Sequence, residues 1–176
     1  MKCVIVDNFF DDFFYIKDYF KNIKLYDLNT YRKFKDIEDP KLENWPGKRS
    51  KILHNTEPFL FSLFMKNFYE KFNNPFNQQK FNVKTHLHLR LEKDNELDWI
   101  HKDCPEDYSL LVYLSETNLN SGTALYDDDK NLITDIKFVQ NRAILFDSNY
   151  NHRAIQNHGN DIHNGRLTFN AFFKLL

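Results

Sequence analysis

Arg166-Leu167-Thr168-Phe169-Asn170-Ala171-Phe172-Phe173 is the stretch that decides the fold. Leu167, Phe169, Ala171 and Phe173 fall on one face of an extended chain, and Arg166, Thr168 and Asn170 fall on the other. Period 2 predicts a β-strand, because successive side chains of a strand point to opposite faces. The polar face is expected to line the interior of a β-shell. A buried guanidinium needs an anionic partner, since an isolated charge is costly to take out of water. No carboxylate in this strand supplies one. A small dicarboxylate ligand would, through a bidentate pair with Arg166, and the Thr168 hydroxyl would add a donor to the same carboxylate.

Working back from this strand, the same period governs everything after Pro75. Strands are expected at 82–91, 97–103, 109–114, 122–126, 135–139, 142–147, 151–156 and 166–174. Short strands at this spacing, separated by Asn, Asp and Gly turns, predict a mainly β (α+β) chain of jelly-roll type, a double-stranded β-helix. Before Pro75 the period is helical. Val4 to Val6 reads as a short strand and Asp11 to Asn22 as a helix. Glu57 to Phe72 reads as a second helix, with Thr56 as its N-cap, Pro58 in its first turn, and Leu60, Phe64, Phe68 and Phe72 as an i, i+4 stripe. Residues 27 to 55 read as polar and irregular, with an ordered turn over Trp45–Ser50. The expectation is one domain spanning 1–176, with supporting helices in 1–81 and the jelly-roll core in 82–176.

Composition fits that size. Of 176 residues 41% are hydrophobic and 16% aromatic, with 18 Phe, so a real core can form. A formal net charge of -1 gives no bulk attraction to nucleic acid or anionic lipid. The two cysteines, Cys3 and Cys104, make neither a metal-binding pair nor a disulfide framework. The opening MKCVIVDNFFDDFF contains no long apolar run, so neither a signal peptide nor a membrane span is expected, and the simplest expectation is a cytoplasmic protein.

Leu97-Asp98-Trp99-Ile100-His101-Lys102-Asp103 carries the chemistry. If it is a strand, His101 and Asp103 point the same way and converge on one point. Asn151-His152-Arg153-Ala154 follows the apolar run Ala143–Phe146 and brings a second histidine after a short turn. Two imidazoles and one carboxylate on one face leave coordination positions open, the arrangement of non-haem Fe(II) oxygenases. A closed zinc site would want a fourth ligand, usually sulfur. Cys104 alternates away from Asp103 and is expected to face the other side.

With H-x-D, a distal His and an Arg on the final strand in that order, residues 82–176 resemble the 2-oxoglutarate/Fe(II)-dependent dioxygenases, most of all their prolyl-hydroxylase-like branch. Tyr108–Ser115, Gly122–Leu125 and Asn141–Phe146 resemble the branch's strand after H-x-D, its small-residue turn and the strand leading to its distal His. The resemblance implies Fe(II) held by His101, Asp103 and His152. It implies 2-oxoglutarate held by Arg166 with Thr168 and Tyr113, O2 as the oxidant, and succinate and CO2 as co-products. The implied reaction is hydroxylation of a peptidyl residue such as proline, or of a small amino-acid-like molecule. Asp103 favours hydroxylation over halogenation, because halogenating members replace that carboxylate. Three departures stand out. His152 and Arg166 are further apart than usual, which Gly159–Gly165 explains as a longer hairpin. Leu91 stands where some hydroxylases have a second Tyr. Phe172 stands where the nucleic-acid-demethylating branch has a second Arg, which counts against a nucleic-acid substrate.

Plainer readings compete. His101 and Asp103 form a solvent-face pair in one, His152 caps a turn in another, Arg166 pairs with an acidic residue of another strand, and Tyr113 or Trp99 is core packing. His86, His88 and Arg90 either rim the pocket and meet an acidic substrate or lie on a solvated strand face. The Trp45–Ser50 turn is either a substrate lid or a structural loop, and Asp127–Asp129 is a turn. His158 and His163 are expected in solvent. A metal- or dicarboxylate-binding jelly roll without turnover, or a cupin-like metalloenzyme without 2-oxoglutarate, are the alternative functions. Substrate contacts are expected from loops within 27–55 and 92–96.

Overall fold

The computed structural model describes residues 3–35, 44–73, 75–97 and 99–176, and the side chains of residues 34, 35, 96 and 97 are not described. Asp98 and residues 36–43, which fall in two of the segments discussed above, lie outside the described residues. In chain order the elements are β1 (Val4–Val6), α1 (Phe13–Asn22), β2 (Leu25–Asp27), α2 (Leu28–Lys35), β3 (Lys48–Ser50), α3 (Leu53–Thr56), α4 (Pro58–Phe72), β4 (Phe81–Arg90), a 3-10 turn (Glu92–Leu97), β5 (Tyr108–Tyr113), β6 (Asn118–Tyr126), β7 (Leu132–Phe138), β8 (Ala143–Asp147), β9 (Asn151–Ala154) and β10 (Arg166–Leu175).

The strands form a major sheet, β1-β8-β5-β10-β4-β3-β2, and a minor sheet, β7-β6-β9. Every pairing is antiparallel. The major sheet is buried on both faces. Leu167, Phe169, Ala171 and Phe173 of β10, with Leu87 and Leu89 of β4 and Leu110 and Val112 of β5, pack against the helices. There Phe64 stacks on Phe169 at 4.6 Å and Phe68 on Phe173 at 4.8 Å between ring centroids. Burying each such ring contributes on the order of 2–3 kcal/mol. The opposite face meets the minor sheet, where Leu111, Tyr113 and Ile144 pack on Leu125, Ile136 and Phe138. This is the expected jelly roll with supporting helices.

Register fixes what faces the space between the sheets. Arg166 of β10 pairs with Arg90 of β4, Thr168 with His88, and Asn170 with His86. On the other side of β10, Thr168 pairs with Tyr113 and Asn170 with Leu111 of β5. Arg49 of β3 pairs with His88. Period 2 therefore puts Arg49, His86, His88, Arg90, Arg166, Thr168 and Asn170 on one inward face.

Three expectations need correction. The 97–103 stretch is not a strand: Glu92–Leu97 is a 3-10 turn, and His101 makes a single isolated bridge to His152. Beyond the bridge the backbone bonds the turn before β9 instead, Asp103 N–H donating to Ser148 O at 3.2 Å, so pairing with β9 stops at one bridge. Thr56 does not cap the second long helix. It ends α3, its hydroxyl donates to Ile52 O at 3.4 Å, and Glu57 occupies the cap position of α4 without a side-chain cap bond. The 27–55 segment is not irregular throughout, since it carries α2, β3 and α3. These are three- to eight-residue pieces, β3 paired to β4, α2 packed on β2 and β3, and α3 on α4 and β4, so their local periodicity is too short to read.

Candidate active site

His101 reaches the site from a loop and His152 from β9, and their backbones pair: His101 N–H donates to His152 O at 3.1 Å and His152 N–H to His101 O at 2.8 Å. That narrow pair brings the two rings to 4.4 Å between centroids. Asp103 lies two residues beyond, anchored by its own N–H to Ser148 O at 3.2 Å. The ligating atoms of His101, Asp103 and His152 all lie within 4.8 Å of one another, and among the described residues this is the one such cluster of His, Cys, Asp or Glu.

Hydrogen bonds orient each of the three. His101 Nδ1 faces Trp99 O at 3.0 Å and His152 Nδ1 faces Tyr150 O at 3.1 Å. A carbonyl oxygen only accepts, so both Nδ1 atoms carry the proton, and in the neutral rings the lone pairs reside on Nε2. Those Nε2 atoms point at the carboxylate: His152 Nε2 lies 3.3 Å from Asp103 Oδ2, and His101 Nε2 lies 3.7 Å from Oδ1. Ser109 Oγ donates to Asp103 Oδ2 at 2.6 Å and sits 2.8 Å from Ser148 Oγ. Sequence reasoning missed this serine pair, which carries no motif. Only the β5–β8 register, with Ser109 opposite Phe146 and the following turn holding Ser148, brings the two hydroxyls together.

The electrostatics follow from the crowding. Burial alone would raise the Asp103 carboxyl, but His152, Ser109 and His101 outweigh it and hold it well below the usual carboxylate range. Burial would lower His152, and the Asp103 carboxylate reverses the sign and raises it. His101 is lowered, by burial first and by His152 beside it second. An anionic carboxylate facing two imidazole lone pairs, with no sulfur in the cluster, is a donor set that fits a borderline divalent transition metal. Tethering of each imidazole through its other nitrogen is what a metal site requires of its surroundings.

The cavity beside this cluster, about 410 Å³ of empty space including its mouth, is lined by His88, Arg90, Thr123, Arg166 and Asn170 as well as by the three. Arg166 is 4% exposed and its Nη2 lies 3.3 Å from both Gly122 O and Thr123 Oγ1. Its guanidinium carbon stands 5.6 Å from the Phe138 ring centre and 5.8 Å from that of Tyr113. Tyr113 OH bonds Thr123 Oγ1 at 2.8 Å, so Thr123 joins the phenol to the guanidinium. Burial pushes the Tyr113 phenol up to about 12. Neither Tyr113 nor Thr168 is among the residues lining the cavity. Thr168 Oγ1 donates to Asn170 Oδ1 at 2.6 Å.

His86 and His88 do not form a solvated strand face. Both are buried beneath the 44–50 segment, with His88 Nε2 2.7 Å from Pro46 O and His86 Nδ1 3.3 Å from Ser50 O. The Trp45–Ser50 stretch therefore walls a second, wider cavity outside the first, together with Trp99, Cys104 and Phe172. Trp99 is 39% exposed and lies on that wall, not in the core. Cys104 is also exposed there, because the segment is a loop and alternation does not apply to it. His158 is half-buried against the edge of Phe138, not in solvent.

No family model matches the sequence, and no curated protein sequence matches it. Solved structures do resemble it. A prolyl hydroxylase from Trichoplax adhaerens, in complex with a hypoxia inducible factor oxygen degradation domain peptide fragment, superposes with a TM-score of 0.63 at 14% identity, over 98% of this chain and 83% of that one. The viral collagen prolyl hydroxylase of Paramecium Bursaria Chlorella virus-1, as a 2OG complex, gives 0.61 at 14% identity over 98% and 96%. The epimerase SnoN, in complex with Fe3+, alpha ketoglutarate and nogalamycin RO, gives 0.62 at 12% identity over 98% and 78%. The chain thus has the fold of the 2-oxoglutarate/Fe(II) oxygenases, a jelly roll of two facing antiparallel sheets backed by helices.

Proposed function

We propose that the protein is a non-haem Fe(II) oxygenase that uses 2-oxoglutarate as co-substrate. The observation that carries the reading is the convergence of His101 Nε2, the Asp103 carboxylate and His152 Nε2 beside a cavity whose far wall holds the buried Arg166. In this reading those three residues hold Fe(II), and Arg166 holds the distal carboxylate of 2-oxoglutarate through a charge-assisted pair. When bound, Fe(II) on such a face supplies open positions for a chelating 2-oxo acid and O2, and with them the capacity to oxidise a C–H bond.

The residues' own tasks follow from their surroundings. Ser109, backed by Ser148, fixes the Asp103 carboxylate, and the Trp99 and Tyr150 carbonyls fix both imidazoles in the tautomer that presents Nε2. Thr123 steers the Arg166 guanidinium, and Tyr113 braces Thr123. Phe138 and the Tyr113 ring exclude water from that end, which strengthens the ion pair there. Thr168 supports the pocket through Asn170. The overall reaction would turn 2-oxoglutarate and O2 into succinate and CO2, and leave a hydroxyl on a peptidyl residue such as proline or on a small amino-acid-like substrate. The fold neighbours named above include one with a peptide bound and one with a small molecule bound, and both substrate sizes fit the reading.

The test is an anaerobic titration of the protein with Fe(II) and then 2-oxoglutarate. A weak visible charge-transfer band is expected, lost in His101→Ala and restored in Arg166→Gln only at much higher 2-oxoglutarate. On adding O2, succinate should form. A folded protein that gives neither band nor succinate overturns the reading.

A further inference from the structure

Among the described residues that line the inner cavity, Asn170 is the one with a side-chain amide. The residue is 7% exposed. Its Oδ1 accepts from Thr168 Oγ1 at 2.6 Å, and the same hydroxyl lies 3.3 Å from His88 O. A hydroxyl has one proton, and the shorter contact takes it. That bond decides which way round the amide sits, with its oxygen toward Thr168 and its NH2 turned away. Among the described residues the NH2 meets no acceptor. A buried amide donor is costly to leave so, unless something bound in the cavity accepts from it.

Register places this amide toward the metal cluster. Along β10 the inward positions are Arg166 opposite Arg90, Thr168 between His88 and Tyr113, Asn170 between His86 and Leu111, and Phe172 between Lys84 and Ser109. Successive rows are about 7 Å apart along the strand. Ser109, in the Phe172 row, donates to Asp103, so the carboxylate ligand belongs to that end. Arg166 and Thr123 belong to the other. Asn170 is thus one row from the serine that holds Asp103 and two rows from Arg166. Its surroundings supply no other neutral donor. Leu111 and Phe172 are apolar. His88 gives its Nε2 proton to Pro46 O at 2.7 Å, and burial first, then Arg49, keeps the ring uncharged, so its Nδ1 carries no proton. Arg49 and Arg90 sit in the His88 and Arg166 rows, further from Ser109, and Arg153 is exposed at the rim.

A 2-oxo acid that chelates a metal through its oxo group and one carboxylate oxygen leaves the other oxygen of that carboxylate off the metal. In a closed cavity such an anionic oxygen needs a donor. We propose that the Asn170 amide donates to it, so that Asn170 fixes the head of 2-oxoglutarate while Arg166 holds the tail. Thr168 is then a positioning residue, which keeps the amide turned toward the cavity. This assignment rests on the oxygenase reading above.

The experiment titrates the anaerobic Fe(II) protein with two probes, 2-oxoglutarate and 2-oxopentanoate. The second has the same carbon chain and the same head but no distal carboxylate. Both are followed by the charge-transfer band. Arg166→Gln should weaken 2-oxoglutarate at least tenfold and leave 2-oxopentanoate within about twofold. Asn170→Leu should weaken both acids by one common factor, about tenfold or more, with Fe(II) binding measured alone within about twofold of the unaltered protein. It should also move the band of the 2-oxoglutarate complex to higher energy, because a lost hydrogen bond raises the acceptor orbital of the chelated acid. Arg166→Gln should leave the band in place. If 2-oxopentanoate binds too weakly to titrate, the band position decides alone. Thr168→Val should weaken 2-oxoglutarate several-fold, and Thr168→Ser, which restores the hydroxyl, should recover most of that loss. If Asn170→Leu does not fold, Asn170→Asp keeps the shape and sets a carboxylate against the head, with an equal or larger loss expected. Unchanged affinity and band in Asn170→Leu, a loss confined to 2-oxoglutarate without a band shift, or a loss that follows weakened Fe(II) binding overturns the proposal and leaves the oxygenase reading standing. An unaltered protein that gives no band with either acid overturns that reading, and the role of Asn170 with it.

Discussion

His101 and His152 hydrogen-bond to each other twice through their main chains, at 3.1 and 2.8 Å, although no strand joins them on the His101 side. The two imidazoles are therefore placed by the backbone before any ion arrives. A site assembled this way strains little on binding, so ligand binding should appear almost wholly as added stability of the folded state. At a metal concentration of a hundred times Kd the gain is about 2.7 kcal/mol, or about 5–10 °C in Tm for a chain of this size. Anaerobic melts with Fe(II) against melts with a chelator measure it. A Tm indifferent to both would remove the cation from the picture.

Ser109→Ala isolates the support under Asp103. The hydroxyl lies 2.6 Å from Asp103 Oδ2 and is fully buried with Ser148. Without it the carboxylate is free to rotate away from the imidazoles. Metal affinity should fall about tenfold to a hundredfold, as for other groups that orient a ligand. Metal-free stability should fall by only about 1 kcal/mol. Fe(II) titration beside chelator-treated melts separates the two effects.

Tyr113 sets an alkaline signature. Its phenol is raised from the ordinary 10 to about 12 by burial. Between those values the unfolded chain has released the proton while the folded chain keeps it. Stability should therefore be undiminished below pH 10 and fall through the window up to 12, at about 1.4 kcal/mol per pH unit from this group. Tyr113→Phe should remove that contribution and delete one late step from the tyrosinate absorbance titration. A titration unchanged by the substitution would show that the late step belongs to another of the nine tyrosines.

Asn141 ties the start of the chain to the barrel. Its Oδ1 accepts from Phe10 N–H and its Nδ2 donates to Phe10 O, both at 2.9 Å, from a backbone at φ 60. Asn141→Ala loses both bonds and puts a Cβ without a polar group in the left-handed region, for a loss of about 2–4 kcal/mol. Asn141→Gly relieves the backbone part and should recover about 1 kcal/mol of it. Denaturant midpoints of the two variants test the split, and equal losses would argue that the hydrogen bonds alone matter.

Where a strand has two different faces, its sequence was readable. The alternation in β10 separates the rings that pack on α4 from Arg166, Thr168 and Asn170, and the register follows that division. The Phe64, Phe68 and Phe72 stripe was equally plain, because fifteen residues of helix give several turns of period. The loop before Asp103 misled, since i and i+2 residues also come together when a backbone bridge and a serine hold them, with no strand needed. Arg49 was visible as a residue but not as part of the site. Only the pairing of β3 to β4 reveals that it faces His88. The Ser109–Ser148 and Tyr113–Thr123 contacts join residues that alternation cannot relate, because they belong to different strands and turns.

β10 lies between β4 and β5, in the middle of the major sheet, though it follows every other strand of that sheet along the chain. Until it arrives, the two strands that flank it each expose a long unpaired edge, and such edges invite pairing with other chains. The nascent protein thus passes through a stage with a gap at its centre, and Arg166 is delivered by the segment that fills that gap. A ribosome-stalled or prematurely terminated product should be prone to aggregate and, whatever else it retains, unable to grip a dicarboxylate.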